Sequence, residues 1–233
     1  MSLEVRRYLA GRDFAAGDPM ARAMRNFAYA IVDADARESA LVDAAWDPDE
    51  LVDRLGDEGV AVTAAVLTHF HFDHAGGDYA GATVAGASRL AERGVPVHAQ
   101  AAEVPWLVRG AGLGADELVA HDGDDELVVG SSSARLLATP GHSPGSQCVL
   151  AAGWLLTGDT LFLEGCGRTD LPGSDPAALR GSLQRLSALD GALQVGAGHD
   201  YSSVETATLD EVRASNPVLA PIDEERWLAM FGP

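Results

Sequence analysis

Apolar positions along this chain fall into two periods, short continuous runs and a helical repeat, and together they lay out most of a fold. Residues 27–32 and 39–42 are apolar runs too short for helices. They flank the charged stretch 33–37, which predicts a hairpin of two buried strands. Asp47 followed by Pro48 reads as an N-cap and first helical position, opening a helix over 48–55. Residues 62–67 are again a buried strand, leading directly into Thr68. A βαβ-like unit thus ends at that threonine.

The stretch 80–120 is rich in Ala and Gly, and its pattern predicts helices over 88–93 and 101–108 with a short strand at 95–98. From Glu126 onward, runs at 127–129, 134–138, 147–151 and 154–157, separated by Gly, Ser or Pro, predict a second set of strands. Residues 175–189 form an amphipathic helix, with Pro176 just inside its start and Leu179, Leu183, Leu186 and Leu189 spaced by four, three and three. A strand over 193–196 then presents His199. No repeat or low-complexity linker divides the chain, so residues 1–233 are expected to form one domain, its two strand-rich halves folding together around one site.

Composition narrows the setting. No apolar run approaches the roughly 18 residues of a spanning helix, and Met1-Ser2-Leu3-Glu4-Val5-Arg6 lacks a signal-peptide core; a cytoplasmic protein without membrane attachment is expected. The two cysteines, Cys148 and Cys166, are too few for a disulfide framework and lack the spacing of a structural zinc site. A net charge of -19 argues against nucleic-acid partners, which need clustered cations. All 16 basic residues are arginine, so any anion anchor must be Arg, His, a backbone N–H or a metal.

The chemistry concentrates in Thr68-His69-Phe70-His71-Phe72-Asp73-His74. Four candidate ligands stand within six residues, of types that suit Zn, Mn or Fe. His69 and His71 project to the same side of an extended segment, and a turn through Ala75-Gly76-Gly77 is expected to fold Asp73 and His74 back toward them. One loop could then serve two adjacent cations. Three later segments repeat one design, a short strand, small residues and a ligand type. They are Ala138-Thr139-Pro140-Gly141-His142, Leu156-Thr157-Gly158-Asp159 and Val195-Gly196-Ala197-Gly198-His199, with glycine beside each ligand allowing close approach. Two divalent cations a few Å apart would acidify a shared water and polarise a carbonyl, which is hydrolytic chemistry.

These motifs, in this order, resemble the metallo-β-lactamase fold superfamily over residues 25–217. The resemblance implies an α+β fold, a four-layer αββα sandwich with its metal site at the edge between the two sheets. It also implies His69, His71 and His142 at a first metal position and Asp73, His74 and His199 at a second. Asp159 would bridge, and Asp73 and Asp159 would be the catalytic carboxylates. The run Gly165-Cys166-Gly167-Arg168-Thr169-Asp170-Leu171-Pro172-Gly173 resembles single-domain glyoxalase II-like thioesterases, which implies two divalent ions, zinc foremost with iron or manganese as alternatives, and a small thiol-derived substrate. Gly-Cys-Gly-Arg-Thr-Asp together with His199-Asp200-Tyr201 also resembles the persulfide dioxygenases. There, a single iron would be held by His69, His142 and Asp159.

Three residues are candidate substrate contacts, each with a structural alternative. Arg168 could pair with a substrate carboxylate or brace its loop through Asp170 or Glu164. Tyr201 could donate to substrate or to Asp200. Cys166 could be a reactive thiol or a small buried side chain. His98 and His121 have no ligand partner nearby in the sequence and are assigned surface or structural roles. The sequence leaves monomer and dimer equally open.

Overall fold

The structure is a computed structural model that describes residues 3–221 and 223–232; Met1 and Ser2, on which the absence of a leader was partly read, lie outside them. Fourteen strands are present among the described residues. In chain order they are β1 (Leu3–Leu9), β2 (Phe27–Asp33), β3 (Glu38–Val42), β4 (Ala61–Val66), β5 (Gly77–Tyr79), β6 (Ala82–Val84), β7 (Val97–Gln100), β8 (Leu118–His121), β9 (Asp125–Val129), β10 (Ser132–Ala138), β11 (Gln147–Ala151), β12 (Trp154–Gly158), β13 (Gln194–Ala197) and β14 (Ala207–Thr208). The helices are α1 (Pro19–Met24), α2 (Pro48–Asp57), α3 (Phe72–Ala75), α4 (Ala87–Glu92), α5 (Val104–Gly110), α6 (Pro176–Ser187), α7 (Leu209–Ser215) and α8 (Glu224–Phe231).

Two six-stranded sheets result, ordered β1-β2-β3-β4-β7-β8 and β14-β13-β12-β11-β10-β9, with β5 and β6 as a separate hairpin. Strand alternation explains how they stack. Along β2, Ala28, Ala30 and Val32 face one apolar cluster that includes Leu51 and Leu55 of α2 and Leu90 of α4. The intervening Phe27, Tyr29 and Ile31 face a second cluster with Leu136, Val149 and Leu156 of the other sheet. A strand buried on both faces reads as one continuous apolar run, which is why 27–32 was legible. The far face of the second sheet is covered by α6, α7 and α8 through Leu179, Leu183, Val212 and Trp227. Helix, sheet, sheet, helix is the αββα order expected.

The boundaries moved by a residue or two, as caps dictate. Asp47 accepts from the Glu50 N–H at 3.0 Å and opens α2, and Asp175 accepts from Ala177 and Ala178 to open α6, which ends at Ser187 rather than 189. The helix predicted over 101–108 is split into a tight turn at Ala101–Glu103 and α5. No helix of the described residues is long and apolar enough to cross a membrane.

The inter-sheet layer holds the two sheets in register, and its packing is testable. Leu136 is fully buried there. Leu136→Ala is expected to lower unfolding free energy by about 2–5 kcal/mol, the usual range for a truncated core leucine, read by urea denaturation.

Candidate metal centre

The sequence-predicted ligands lie on segments that follow the ends of four strands, and these strand ends meet at one edge of the sandwich. β4 runs into Thr68 and His69, β10 leads to His142, β12 to Asp159 and β13 to His199. The two sheets are stitched there by backbone: Phe27 N–H donates to Gly198 O at 2.8 Å and Gln147 N–H to Thr68 O at 2.9 Å. Asp73 and His74 do fold back toward His69, but through the one-turn helix α3, with His71 as its N-cap, not through the turn at 75–77. Helical geometry brings residues three apart to one face, which a reading of 68–74 as wholly extended misses.

The candidate ligands converge. His71 Nδ1 and His142 Nε2 lie 3.0 Å apart, and the His69 and His142 rings are 4.8 Å between centres. Beside them, His74 Nε2 is 3.2 Å from His199 Nε2, and Asp73 Oδ2 is 3.3 Å from His199 Nε2. Asp159 reaches both groups: its Oδ2 is 3.7 Å from His142 Nε2 and 3.5 Å from His199 Nε2, and its Oδ1 is 3.4 Å from His74 Nε2. His69, His74, His142 and His199 are buried.

Outward hydrogen bonds fix which nitrogen each ring turns inward. The carbonyls of Arg168 and Met24 can only accept, so His142 and His199 donate to them from Nδ1, both at 2.8 Å. His74 Nδ1 donates to Asp43 Oδ2 at 3.0 Å. The Thr68 hydroxyl gives its proton to Asp43 at 2.6 Å and therefore accepts from His69 Nδ1 at 3.0 Å. Four rings thus turn Nε2 toward the centre, the orientation that histidine ligands take from outer partners. Among the described residues, His69 Nε2 and Asp159 Oδ1 are buried side-chain atoms with no hydrogen-bond partner. Buried polar atoms without partners are costly, and a cation at these points would satisfy both. The donor set therefore fits divalent metal.

Electrostatics agree. Burial holds His69 well below its ordinary range and His71 at about 4, so both rings are neutral and able to ligate. Burial also works against protonation of His74 and His199, but the carboxylates of Asp73 and Asp159 outweigh it and raise them to about 9 and about 10. That unanswered negative charge attracts a proton or a cation, and the two compete.

Sequence reasoning missed three residues that build the site. Asp43 takes the Thr68 N–H and hydroxyl as well as His74, so it holds ligands and has no free oxygen to serve as one. Asn26 is buried, donates to Asp73 Oδ2 at 3.0 Å and accepts from Trp46 Nε1 at 3.1 Å. Glu103 is a buried carboxylate that accepts Phe70 N–H at 2.7 Å, Gly145 N–H at 2.6 Å and the Ser143 hydroxyl at 3.0 Å. It clasps the loop of His69 and His71 to the loop of His142.

Glycine permits the crowding. A Cβ on Gly198 would lie 2.4 Å from Asp159 Oδ1, and one on Gly167 would lie 2.0 Å from Asp159 O and 2.7 Å from His142 Nδ1. Gly167 lets the Gly-Cys-Gly-Arg loop press against the centre so that the Arg168 carbonyl meets His142. The Arg168 guanidinium is exposed and bound through Nε and Nη2 to Asp170, both at 2.8 Å. The Tyr201 ring stacks on His199 at 4.5 Å, while Asp200 is held by Arg25 at 2.6 Å. Cys166 packs against the outer core of the second sheet, and burial pushes its thiol up to about 12. His98 and His121 lie apart from the centre but have partners: His98 Nδ1 meets His121 Nε2 at 2.9 Å, and His121 Nδ1 meets Asp125 at 2.7 Å. Their partners come from adjacent strands, which spacing along the chain does not reveal.

A sandwich with clustered His and Asp at the sheet edge is the architecture of a metallo-enzyme. The sequence signature of the Metallo-beta-lactamase superfamily matches residues 22–199, and the chain belongs to that superfamily. It is 37% identical over 183 residues to a hydroxyacylglutathione hydrolase of Anaeromyxobacter dehalogenans, covering 78% of this chain and 64% of that protein. It is 27% identical to a probable polyketide biosynthesis zinc-dependent hydrolase of Bacillus velezensis, covering 82% and 80%. Among solved structures it resembles ETHE1 from Myxococcus xanthus, with a TM-score of 0.77 and 26% identity over 98% of this chain and 89% of that one.

The Glu103 clasp gives a test of how the site is held. Glu103→Ala leaves two backbone donors buried without acceptors and is expected to cost about 1–3 kcal/mol, measured by urea denaturation. Burial raises this carboxyl from its ordinary 4.5 to about 6, against its three donors. A raised value means its contribution is complete below about 4.5 and is lost as pH climbs through about 6. The stability margin of wild type over the variant should therefore narrow across that interval.

Proposed function

We propose that the protein hydrolyses a small thioester or related ester, with one divalent cation held by His69, His71 and His142 and a second by Asp73, His74 and His199. Asp159 lies between the two. The observation that carries this reading is the set of inward Nε2 atoms, each fixed by a hydrogen bond from its own Nδ1. When bound, two such cations supply an acidified water and polarise the carbonyl under attack.

The chain's own residues supply the rest. Asp73 is held by Asn26 through Oδ2 and kept ionised by His74 and His199 against the effect of burial, so it would orient the attacking water as a hydrogen-bond acceptor. The water oxygen joins the thioester carbon, the carbon–sulfur bond breaks, and the sulfur leaves with a proton as a thiol. No separate Ser or Cys nucleophile is required, and the raised Cys166 thiol is a poor one.

His69, His142 and Asp159 by themselves make up the two-histidine, one-carboxylate set of a mononuclear iron dioxygenase acting on a persulfide, and similarity to ETHE1 over nearly the whole chain supports that second reading. His71, His74, His199 and Asp73 converge beside those three and offer the second position that the hydrolase reading requires. Metal content after expression without supplements, with turnover of a panel of S-acyl thiols and oxygen uptake with glutathione persulfide, separates them. Two equivalents of metal with thioester cleavage and no oxygen uptake are expected. One iron with oxygen consumption reverses the order.

His142→Ala is expected to lose metal from the first position and reduce kcat/KM by more than about 100-fold, checked by elemental analysis and kinetics. His121→Ala, away from the centre, should keep full metal content and turnover.

A further inference from the structure

The segment that supplies ligands also supplies the wall of the pocket above them. Phe70 and Phe72 alternate with His69, His71 and Asp73, and both rings line a pocket of about 520 Å³ that opens onto the centre. Each is half of a stacked pair. Phe70 stacks on Trp106 with ring centres 4.7 Å apart and planes 17° apart, and Phe72 stacks on Tyr79 at 3.9 Å and 3°. Phe162 and Leu171 extend the same surface. The pairing makes the walls flat and stiff, and flat stacked rings receive another ring or a branched chain with little loss of side-chain freedom.

Charge points the same way. Asp73 and Asp159 belong to the centre, where cations would serve the reacting carbonyl and its water. An anionic arm of a substrate would need a partner on the walls. The lining offers one guanidinium, Arg168, already engaged by both oxygens of Asp170, and one further carboxylate, Asp78. No lysine exists in the chain, and its net charge is -19. A thiol carrier bearing two carboxylates, such as glutathione, would meet on the lining a single guanidinium, shared with Asp170, and would have to draw on Arg109 behind Trp106 for a second cation.

We infer that the acyl group taken by this site is apolar and aromatic, carried on a small uncharged thiol, and that thioesters of glutathione are poor substrates. The inference rests on the hydrolase reading above. Thioesters of N-acetylcysteamine carrying phenylacetyl or acetyl groups, and S-lactoylglutathione, are compared with the metal-loaded protein. The phenylacetyl compound should exceed the acetyl compound in kcat/KM by about 10- to 100-fold, the worth of burying one ring, with the difference chiefly in KM. It should exceed S-lactoylglutathione by at least as much. Equal or better turnover of S-lactoylglutathione overturns the inference while leaving the hydrolase reading intact.

Binding separates the two claims from the other side. Thioether analogues, in which a methylene replaces the carbonyl, cannot be cleaved, and their affinities are measured by calorimetry. If no thioester is cleaved but the 2-phenylethyl thioether binds about 10-fold more tightly than the ethyl one, the pocket inference stands and the hydrolase reading falls. Equal affinities sink the pocket inference. Tyr79→Ala, at a half-exposed ring, should shrink the phenylacetyl-to-acetyl ratio about threefold or more, and Trp106→Ala should shrink it further. An unchanged ratio in both variants, with folding verified by circular dichroism, counts against it.

Discussion

Five imidazoles and two carboxylates, five of the seven buried, stand within a few ångströms of one another, and the sandwich is organised around making that tolerable. Removing such groups from solvent costs several kcal/mol each unless partners replace the lost hydration. On the outer side the partners are Asp43, Thr68 and the carbonyls of Met24 and Arg168. On the inner side His69 Nε2 and Asp159 Oδ1 have none. The fold thus leaves its unsatisfied valence pointed at one place.

Two sheets are needed because one cannot supply enough strand ends. β4 belongs to the first sheet and β10, β12 and β13 to the second, so the ligands meet only because the inter-sheet layer holds those ends opposite one another. Loops that leave strand ends carry little stiffness of their own. Here they borrow it from buried side chains reaching across. Glu103 joins the loop of His69 and His71 to that of His142, and Asn26 joins the start of β2 to Asp73. The centre is held as a ring of ties rather than by any single element.

How far this was legible from the chain depended on the range of the interaction. The histidine run, the strand over 27–32 and the helix opened by Asp175 were written locally, as composition, double-sided burial and a cap. β1 was not. It is an edge strand in which Glu4, Arg6 and Arg7 interrupt the apolar positions, and its apolar signal is diluted accordingly. β8 and the β5–β6 hairpin have strands of four and three residues, too short to carry a period, and exist through their pairing. α7 carried a capping box in Thr208 and Glu211 that could have revealed it. Asp43, Asn26 and Glu103 had no such signal, because each acts on a residue 31, 47 or 33 positions away. The pair His98 and His121 was hidden for the same reason, 23 positions apart yet in contact across neighbouring strands.

The Arg168 loop separates two duties within one residue. Its carbonyl fixes the tautomer of His142, and any amino acid has that carbonyl; its side chain stands in the pocket wall, exposed and tied only to Asp170. Replacement of the side chain therefore leaves the tie to His142 in place, whereas any side chain on the preceding Gly167 would push the loop off the centre. The side chain at 168 can thus vary without disturbing the backbone contact that orients His142, whereas position 167 is confined to glycine.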